Sequence, residues 1–306
     1  MKKNTKKIVT AAGIAAGTAA VASLYAYVTI KALIDTALDR EMPKVMEKAD
    51  KRISGEKSSD EFTNRMESAS ESLAVQPNET VEIIAHDGEK LVGHYFPCEK
   101  PERVIIAFHG WRSSWHRDFG MISDFWYKNN CSVLYVEQRG QNNSSGEYMG
   151  FGLTERFDCL DWLNWEIERC GSDIPVYLAG VSMGATTVLM AAGLQLPPNV
   201  HGIMADCGFT SANAIWEHIA KDNLHIRFGI RSAIADRMCR RKIQVGSKEH
   251  STVEALKHTH VPVILVHGAD DHFVPVEMTY ENYTACTAPK YLLIVPGADH
   301  GMSYFM

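Results

Sequence analysis

The sequence predicts an α/β fold with a mostly parallel, doubly wound sheet. The main observation is that six short, continuous apolar runs alternate with helical stretches. Strands buried on both faces need such runs, since neither face of the strand meets water. A second observation is the turn Asp87-Gly88 between two further strand-like runs, which predicts a hairpin at the start of the domain. The six runs are Val104–Phe108, Val133–Val136, Val176–Ala179, Gly202–Ala205, Val261–Val266 and Leu292–Val295.

The length and composition of the chain suit one large domain. Its 306 residues, 45% of them hydrophobic, can bury one large core, and no shift in composition divides residues 79–306. The net charge of −6 provides no basic excess for a phosphate backbone, so we expect no nucleic-acid partner. The seven cysteines form no C-x-x-C pair, which argues against a disulfide or zinc framework.

The N-terminus differs from the rest of the chain. Four lysines within the first seven residues precede the uncharged stretch Ile8–Ile30. As a helix this stretch would span ~34 Å at ~1.5 Å per residue. That length predicts a membrane anchor over residues 1–31, with the domain outside the cytoplasm. The alternative is a cleaved signal peptide and a secreted protein, because Ala20-Val21-Ala22 resembles a small-residue cleavage site.

Two glycines inside this stretch, Gly13 and Gly17, form a G-x-x-x-G pattern. Such a pattern lets two membrane helices approach closely and would support a homodimer, although an alanine-rich anchor explains the small residues equally well. Residues 32–78 then carry charges of both signs and a serine-rich segment, which predicts a charged stalk between anchor and domain.

One interval interrupts the alternation of strands and helices. Between Asp206 and Val261 the chain spends more than fifty residues, which exceeds the length of one crossover, and we predict a helical cap over about 209–257. Basic residues in the cap either attract an acidic substrate or form a solvated helix face. They are Arg237, Arg240, Arg241 and Lys242.

The segment Gly180-Val181-Ser182-Met183-Gly184 fits the nucleophile motif G-x-S-x-G. It stands between an apolar strand and the helix-forming segment ATTVLMAAGLQL, which is the context the motif requires. The sharp turn strains the serine backbone and exposes its hydroxyl, and side chains at the two glycine positions would collide with neighbouring elements. Ser182 is therefore our candidate nucleophile, against the alternative of an incidental serine in a glycine-rich turn.

A serine hydroxyl needs a base to take its proton and a third group to orient that base. Two later strands are followed by suitable residues, in the segments HGADDHFVP and PGADHGMS. Loops at the carboxyl ends of parallel strands share one edge of the sheet. We therefore expect Ser182, an aspartate of the first segment and His300 of the second to converge.

With these three segments the chain resembles the α/β-hydrolase superfamily from about Val81 to the C-terminus. The family pattern G-x-x-D-x-x-V-P implies Asp271 as the acid, with Asp270 as the fallback, and the pattern G-x-x-H-G implies His300 as the base. Asp299 receives no role. His267 and His272 flank the acid and raise the question of a metal, but consecutive side chains point in different directions, so we predict neither metal nor cofactor.

The resemblance also implies donors for the oxyanion of the transition state. One is the amide of Met183, directly after the nucleophile, and the other is the amide of Trp111, because His109-Gly110-Trp111 is similar to the family's H-G-x motif. Gly110 would allow close approach of the backbone to substrate. The Trp111 ring would line the acyl pocket, or simply pack over the loop.

Two departures from the family pattern accompany the resemblance. The loop VEQRGQNNSSGE is similar to D-x-R-G-x-G-x-S but has Glu137 and Asn142 at two of the pattern's positions. In addition, only six residues follow His300, whereas the family usually closes with a helix packed behind the sheet.

These observations predict a serine hydrolase that cleaves carboxylic esters through an acyl-enzyme. A base that titrates near ~6.5 would make activity rise between mildly acid and neutral pH. The alternatives are a serine peptidase or amidase on the same triad, acting on short peptides, and a non-catalytic scaffold held at the membrane. Haloalkane dehalogenation is disfavoured, because on this fold it uses a carboxylate where Ser182 stands.

Overall fold

A computed structural model describes residues 23–42, 60–229 and 231–305. Eight strands form one sheet in the order β1-β2-β4-β3-β5-β6-β7-β8. Strand β2 pairs antiparallel with β1 and β4, and all pairs from β4 to β8 are parallel. The mostly parallel sheet is confirmed. The strands are β1 (Glu79–Ile84), β2 (Lys90–Phe96), β3 (Arg103–Phe108), β4 (Cys131–Glu137), β5 (Val176–Val181), β6 (Val200–Asp206), β7 (Val263–Gly268) and β8 (Lys290–Val295).

The predicted hairpin joins β1 to β2. Gly88 in its turn has a φ of 94°, which suits glycine because it has no Cβ. The amide of Ala85 donates to the carbonyl of Glu89 over 2.8 Å and closes the turn.

Helices lie on both sides of the sheet and above its carboxyl edge. The first helix, α1, is described over residues 23–38. The others are α2 (Asp60–Ala74), α3 (Trp115–Lys128), α4 (Glu155–Cys170), α5 (Met183–Ala191), α6 (Ala212–His218), α7 (Arg231–Ile243), α8 (Thr252–Leu256) and α9 (Val276–Ala285), with a π-helical turn over Ile219–Asn223 and a 3-10 turn over Ser303–Phe305.

The apolar core has three parts. Helices α4, α5, α8 and α9 cover one face of the sheet, where Trp162 and Leu189 are fully buried. Helices α2 and α3 cover the other face, around Phe119 and Trp126. A third cluster, the edge cluster, lies over the carboxyl ends of the strands and contains Trp216 together with residues of α1. It therefore adjoins the loops that carry the predicted site.

The structure has packed helices in the described part of the predicted stalk. Helix α2 packs against α3, and a Cβ added at Gly120 would lie 2.7 Å from the backbone of Ala69. Helix α1 buries one side in the edge cluster, because its apolar residues recur at helical spacing. These residues are Ile30, Leu33, Ile34, Ala37 and Leu38.

The predicted anchor over residues 1–31 falls mostly outside the described residues. Residues 8–22, with Gly13, Gly17 and the cleavage-like segment 20–22, belong to that part. Within the described ranges, no helix combines the length and the hydropathy needed to cross a membrane. Ile30, at the end of the predicted anchor, is fully buried in the domain.

The interval predicted as a cap contains α6, the π-helical turn, α7 and α8. The first three lie over the carboxyl edge, where Trp216 and Cys239 are fully buried in the edge cluster. Helix α8 instead packs with Leu256 in the layer that covers the sheet. After β8, the 3-10 turn packs Tyr304 on the face covered by α3.

Candidate active site

Ser182 occupies the sharp turn between β5 and α5. Its backbone has a φ of 54° and a ψ of −114°, a strained conformation for a non-glycine residue. A Cβ at Gly180 would lie 2.3 Å from the backbone of Gly184, and one at Gly184 would lie 1.9 Å from the carbonyl oxygen of Phe108. The two glycines of the motif are therefore required by close packing of the turn.

Ser182, His300 and Asp271 form one hydrogen-bonded series. The Ser182 Oγ lies 3.0 Å from Nε2 of His300, and Nδ1 of His300 lies 2.8 Å from Oδ2 of Asp271. An ionised carboxylate can only accept, so Nδ1 carries a proton, and in the neutral form of the ring Nε2 is free to accept the serine hydroxyl proton. The three side chains therefore have the geometry of a nucleophile, a base and an orienting acid.

Asp271 is buried and held from several sides. Its Oδ1 accepts the amides of Phe273 and Val274 over 2.9 and 2.8 Å, and its Oδ2 lies 3.1 Å from Nε2 of His267. Burial by itself would raise the pKa of Asp271, but His300 and His267 lower it well below its usual value. The carboxylate therefore stays ionised. Asp270, the fallback acid, is exposed to solvent.

Asp299 acquires a structural role that the sequence did not indicate. Its Oδ1 accepts the amides of His300 over 2.8 Å and of His272 over 3.2 Å. These two amides belong to the loops after β8 and β7. Asp299 thus joins the loop that carries His300 to the loop that carries Asp271.

The charge on His300 depends on its buried neighbours. Burial by itself would lower the pKa of the imidazole, but Cys207 and the Asp271 carboxylate raise it well above its ordinary value. Burial also raises the pKa of the Cys207 thiol to about 11, so this group is neutral near pH 7. The ionised Asp271 therefore accounts for the raised pKa of His300 at that pH. Asp206 lies nearby, and burial raises its pKa to about 6.

The predicted oxyanion donors lie beside Ser182. Met183 is the first residue of α5, so its amide is one of those that a helix leaves unpaired at its N-terminus. A Cβ at Gly110 would lie 3.4 Å from the Cβ of Ser182, which shows that the loop after β3 lies against Ser182. The amide of Gly110 donates to Asp118 over 2.6 Å, and that bond fixes the backbone that carries Trp111.

Helix α1 is hydrogen-bonded to the loop after β3. The indole N–H of Trp111 donates to the carbonyl of Ala37 over 3.0 Å. The guanidinium of Arg112 donates to the carbonyls of Thr36 and Arg40 over 3.0 and 2.9 Å, at the C-terminal end of α1. The Trp111 ring is thus packed in the edge cluster and bonded to α1.

Two uncharacterized bacterial proteins are similar to this chain over most of its length. No family model matches the chain. The uncharacterized protein YqkD of Bacillus subtilis is 25% identical over 216 residues, covering 69% of this chain and 68% of that protein. The uncharacterized protein YfhR of Escherichia coli K12 is 23% identical over 231 residues, covering 72% of this chain and 73% of that protein.

Solved structures identify the fold. An esterase of Pyrococcus furiosus has a TM-score of 0.61 at 21% identity, covering 77% of this chain and 87% of its own. The α/β hydrolase GrgF of Penicillium sp. sh18 has a TM-score of 0.54 at 18% identity, and the match covers 74% of this chain and 91% of GrgF. The chain has the α/β-hydrolase fold. A puromycin-hydrolyzing peptidase of Mycobacterium tuberculosis has a TM-score of 0.55 at 15% identity, covering 75% of this chain and 36% of its own.

The departures at Glu137, the last residue of β4, and at Asn142, in the loop that follows, are accommodated within this α/β-hydrolase fold. Asn142 stands where the pattern has glycine and has a φ of 49°, which asparagine adopts more readily than most residues. Its Nδ2 donates to the carbonyl of Ser113 over 3.0 Å. Glu137 is buried and lies 2.8 Å from Nε2 of His94. The loop after β4 therefore contacts the loop after β3.

His109 has a structural role in the α/β-hydrolase fold of this chain. Burial lowers its pKa, so the ring is neutral. Its Nε2 accepts the amide of Gln138 over 3.2 Å, and its Nδ1 donates to the carbonyl of Gly110 over 2.8 Å. Gln138 also accepts the hydroxyl of Thr187 over 3.0 Å. These bonds fix the loop after β3 to the loop after β4.

Half of the basic cluster in the cap is paired within the chain. Lys242 lies 3.1 Å from Asp35 of α1 and also contacts Asp39. Arg240 bonds Asp236 over 3.0 Å and also contacts Glu249. These two cations stabilise α7 and its contact with α1, which weakens the interpretation of the cluster as an attractor for acidic substrates.

Two groups of described residues could hold a metal ion. One consists of His86, Asp158 and Asp161, where His86 is exposed. The other consists of Cys207, Asp271 and His300. Cys207 was not a candidate on sequence grounds, yet it follows β6 directly, and that position at a strand end was the signal that could have identified it.

Proposed function

We propose that this chain is a serine hydrolase that cleaves carboxylic esters through an acyl-enzyme. The observation that carries the proposal is the series Ser182, His300 and Asp271, with hydrogen-bond separations of 3.0 and 2.8 Å. A scaffold protein would have no need of this arrangement in the loops after three strands.

The proposed mechanism has two half-reactions. Ser182 attacks the ester carbonyl while His300 takes its proton, and the amides of Met183 and Trp111 hold the oxyanion. The protonated His300 then gives its proton to the alcohol leaving group, and the acyl group remains on the serine. Water, deprotonated by His300, releases the acid in the second half-reaction. Asp271 keeps the imidazole in the required tautomer throughout.

Two observations support an ester with an apolar acyl group. The Trp111 ring and Phe151 belong to the edge cluster beside the nucleophile. Phe273 packs edge-on against His300, with ring centroids 5.0 Å apart. The Pyrococcus furiosus neighbour is an esterase, whereas the Mycobacterium tuberculosis neighbour is a peptidase, so cleavage of amides or short peptides is the second candidate.

We further propose that the uncharged stretch of residues 8–30 anchors the protein in a membrane through the part that precedes Ile30, which is itself buried in the domain, with the hydrolase domain outside the cytoplasm. The uncharged stretch behind four lysines supports the proposal. Cleavage near residues 20–22 would instead release a secreted enzyme whose α1 is intact from residue 23 onward.

The test is covalent labelling of the full chain in detergent micelles with a fluorophosphonate, followed by intact mass. We expect one adduct on the parent and on Ser211→Ala, a control serine at the N-terminus of α6. We expect none on Ser182→Ala. Hydrolysis of matched p-nitrophenyl esters and anilides then compares ester with amide. A folded parent that takes no label would exclude the hydrolase and favour the scaffold.

A further inference from the structure

Cys207 is a buried thiol that the proposed mechanism does not use. It follows β6 directly, so it lies at the same sheet edge as the loops of Ser182 and Asp271. Its backbone φ is 47°, an uncommon conformation for a residue with a side chain. The side chain is fully buried, and its Sγ lies within 4.8 Å of a ring nitrogen of His300. The site thus contains a sulfur atom beside its base.

The sulfur completes a set of metal ligands. The Cys207 Sγ, a ring nitrogen of His300 and a carboxylate oxygen of Asp271 all lie within 4.8 Å of one another. With bonds of ~2.3 Å to sulfur and ~2.0 Å to nitrogen or oxygen, a tetrahedral Zn²⁺ holds such atoms about 3.3 to 3.5 Å apart. Small side-chain movements would therefore bring the three atoms to the distances that zinc requires.

The charges of the ligands also balance the charge of the ion. A thiolate and a carboxylate together neutralise the two positive charges of the ion, so the buried site would carry no net charge. Cys207 is fully buried, but 23% of the His300 side chain is exposed, and the ion can enter on that side and keep a water as fourth ligand.

We propose that Cys207, His300 and Asp271 bind Zn²⁺ and that the bound ion inhibits the hydrolase. Binding breaks the S–H bond of Cys207 and releases its proton to solvent, and a charged His300 ring also releases one N–H proton to solvent before its nitrogen can bind the ion. If the ion occupies Nδ1 of His300, which faces Asp271, the ring proton moves to Nε2 and faces Ser182. If the ion occupies Nε2, it takes that lone pair itself. In both cases His300 can no longer accept the serine proton.

The binding half of this inference stands on the cluster alone, while the inhibition rests on the proposed function. Co²⁺ replaces Zn²⁺ as a spectroscopic probe, because a Co²⁺–thiolate bond gives a charge-transfer band in the near ultraviolet. The test adds Co²⁺ to the full chain in micelles, in the parent, Ser182→Ala, Cys207→Ser and Cys239→Ser. Cys239 is the matched control, since it is also fully buried but lies in the cap helix α7.

We expect the band in the parent, Ser182→Ala and Cys239→Ser, and its loss in Cys207→Ser. Zn²⁺ should inhibit ester hydrolysis by the parent, reversibly with a chelator, and the inhibitory concentration should rise at least tenfold in Cys207→Ser but not in Cys239→Ser. Each variant is compared with its own metal-free rate, and circular dichroism verifies its folding. Cys207→Ala replaces Cys207→Ser if the serine variant does not fold.

The outcomes separate the two proposals. A band that depends on Cys207 in a protein without esterase activity would leave the metal site standing and exclude the proposed function. Ester hydrolysis with no such band, or with equal Zn²⁺ inhibition of the parent and Cys207→Ser, would overturn the metal site and leave the hydrolase intact.

Discussion

The two sides of the candidate site are built differently. On the triad side, Ser182, Asp271 and His300 follow strands β5, β7 and β8 of one parallel sheet. On the oxyanion side, Trp111 is bonded to Ala37, 74 residues earlier in the chain, and packs among helices of the edge cluster. One side is positioned by the register of strands and the other by the docking of a helix.

This difference predicts which changes in the chain will disrupt each side. Paired strands leave the ends of β5 to β8 little freedom, since Val181 pairs with Asp206, Asp206 with Val266, and Gly268 with Val295. Helix α1 is not part of the sheet. It is held by apolar burial, by hydrogen bonds to its last carbonyls and by the ion pair of Asp35 with Lys242. We therefore expect point changes to be most damaging on the triad side and loss of a segment to be decisive on the oxyanion side.

The largest effect is expected for Asp271→Asn. The amide leaves the size of the side chain almost unchanged but favours the wrong tautomer of His300, so kcat should fall on the order of 10⁴-fold. Asp270→Asn, one residue earlier and exposed, is the matched control and should stay within about twofold of the parent, as expected for an exposed surface change. Ester hydrolysis rates measure both. Equal losses in the two variants would contradict the assignment of Asp271.

The second-largest effect is expected for removal of α1. A chain that begins at residue 43 loses the contacts of Ala37 and Thr36 to the loop of Trp111 and Arg112, so kcat/KM should fall by roughly 10²- to 10³-fold, as for loss of an oxyanion donor. A chain that begins at residue 23 keeps α1 and should retain the activity of the parent. Steady-state kinetics on both chains, with thermal unfolding as a check of folding, decide this. Full activity without α1 would show that the triad side suffices.

The smallest effect is a displacement of the pH profile. The proposed mechanism requires neutral His300, and Asp271 stabilises the charged imidazolium, so the pKa of His300 is raised. The rate should therefore rise with pH through a midpoint above the ordinary value of ~6.5, and stay high beyond it, instead of levelling off by neutrality. The profile of kcat/KM measures the midpoint. In Asp271→Asn the pH profile of the residual activity should have a lower midpoint. An unchanged midpoint would show that Asp271 does not raise the pKa of His300.

Much of the fold and of the candidate site could be predicted from the sequence, because the patterns that specify them are local. The apolar runs predicted six strands, and the motif around Ser182 predicted a strained turn. The steric demand at Gly180 is local, since a Cβ there would meet Gly184, whereas the demand at Gly184 comes from Phe108 of β3. The choice of Asp271 over Asp270 came from the resemblance to a family pattern. Helix α1 was missed as part of the domain, although Ile30, Ile34 and Leu38 recur at helical spacing. Their position after a long uncharged stretch favoured the anchor and stalk interpretation instead.

The sequence by itself determined the strands, the turn at Ser182 and the residue types of the candidate site, because these depend mainly on neighbours along the chain. Only the tertiary structure decided that α1 docks on the loop of Trp111 and that Cys207 lies against His300. Both contacts join segments far apart in sequence, and no local pattern specifies which surface a buried helix face or thiol meets. That choice is made when the whole core packs.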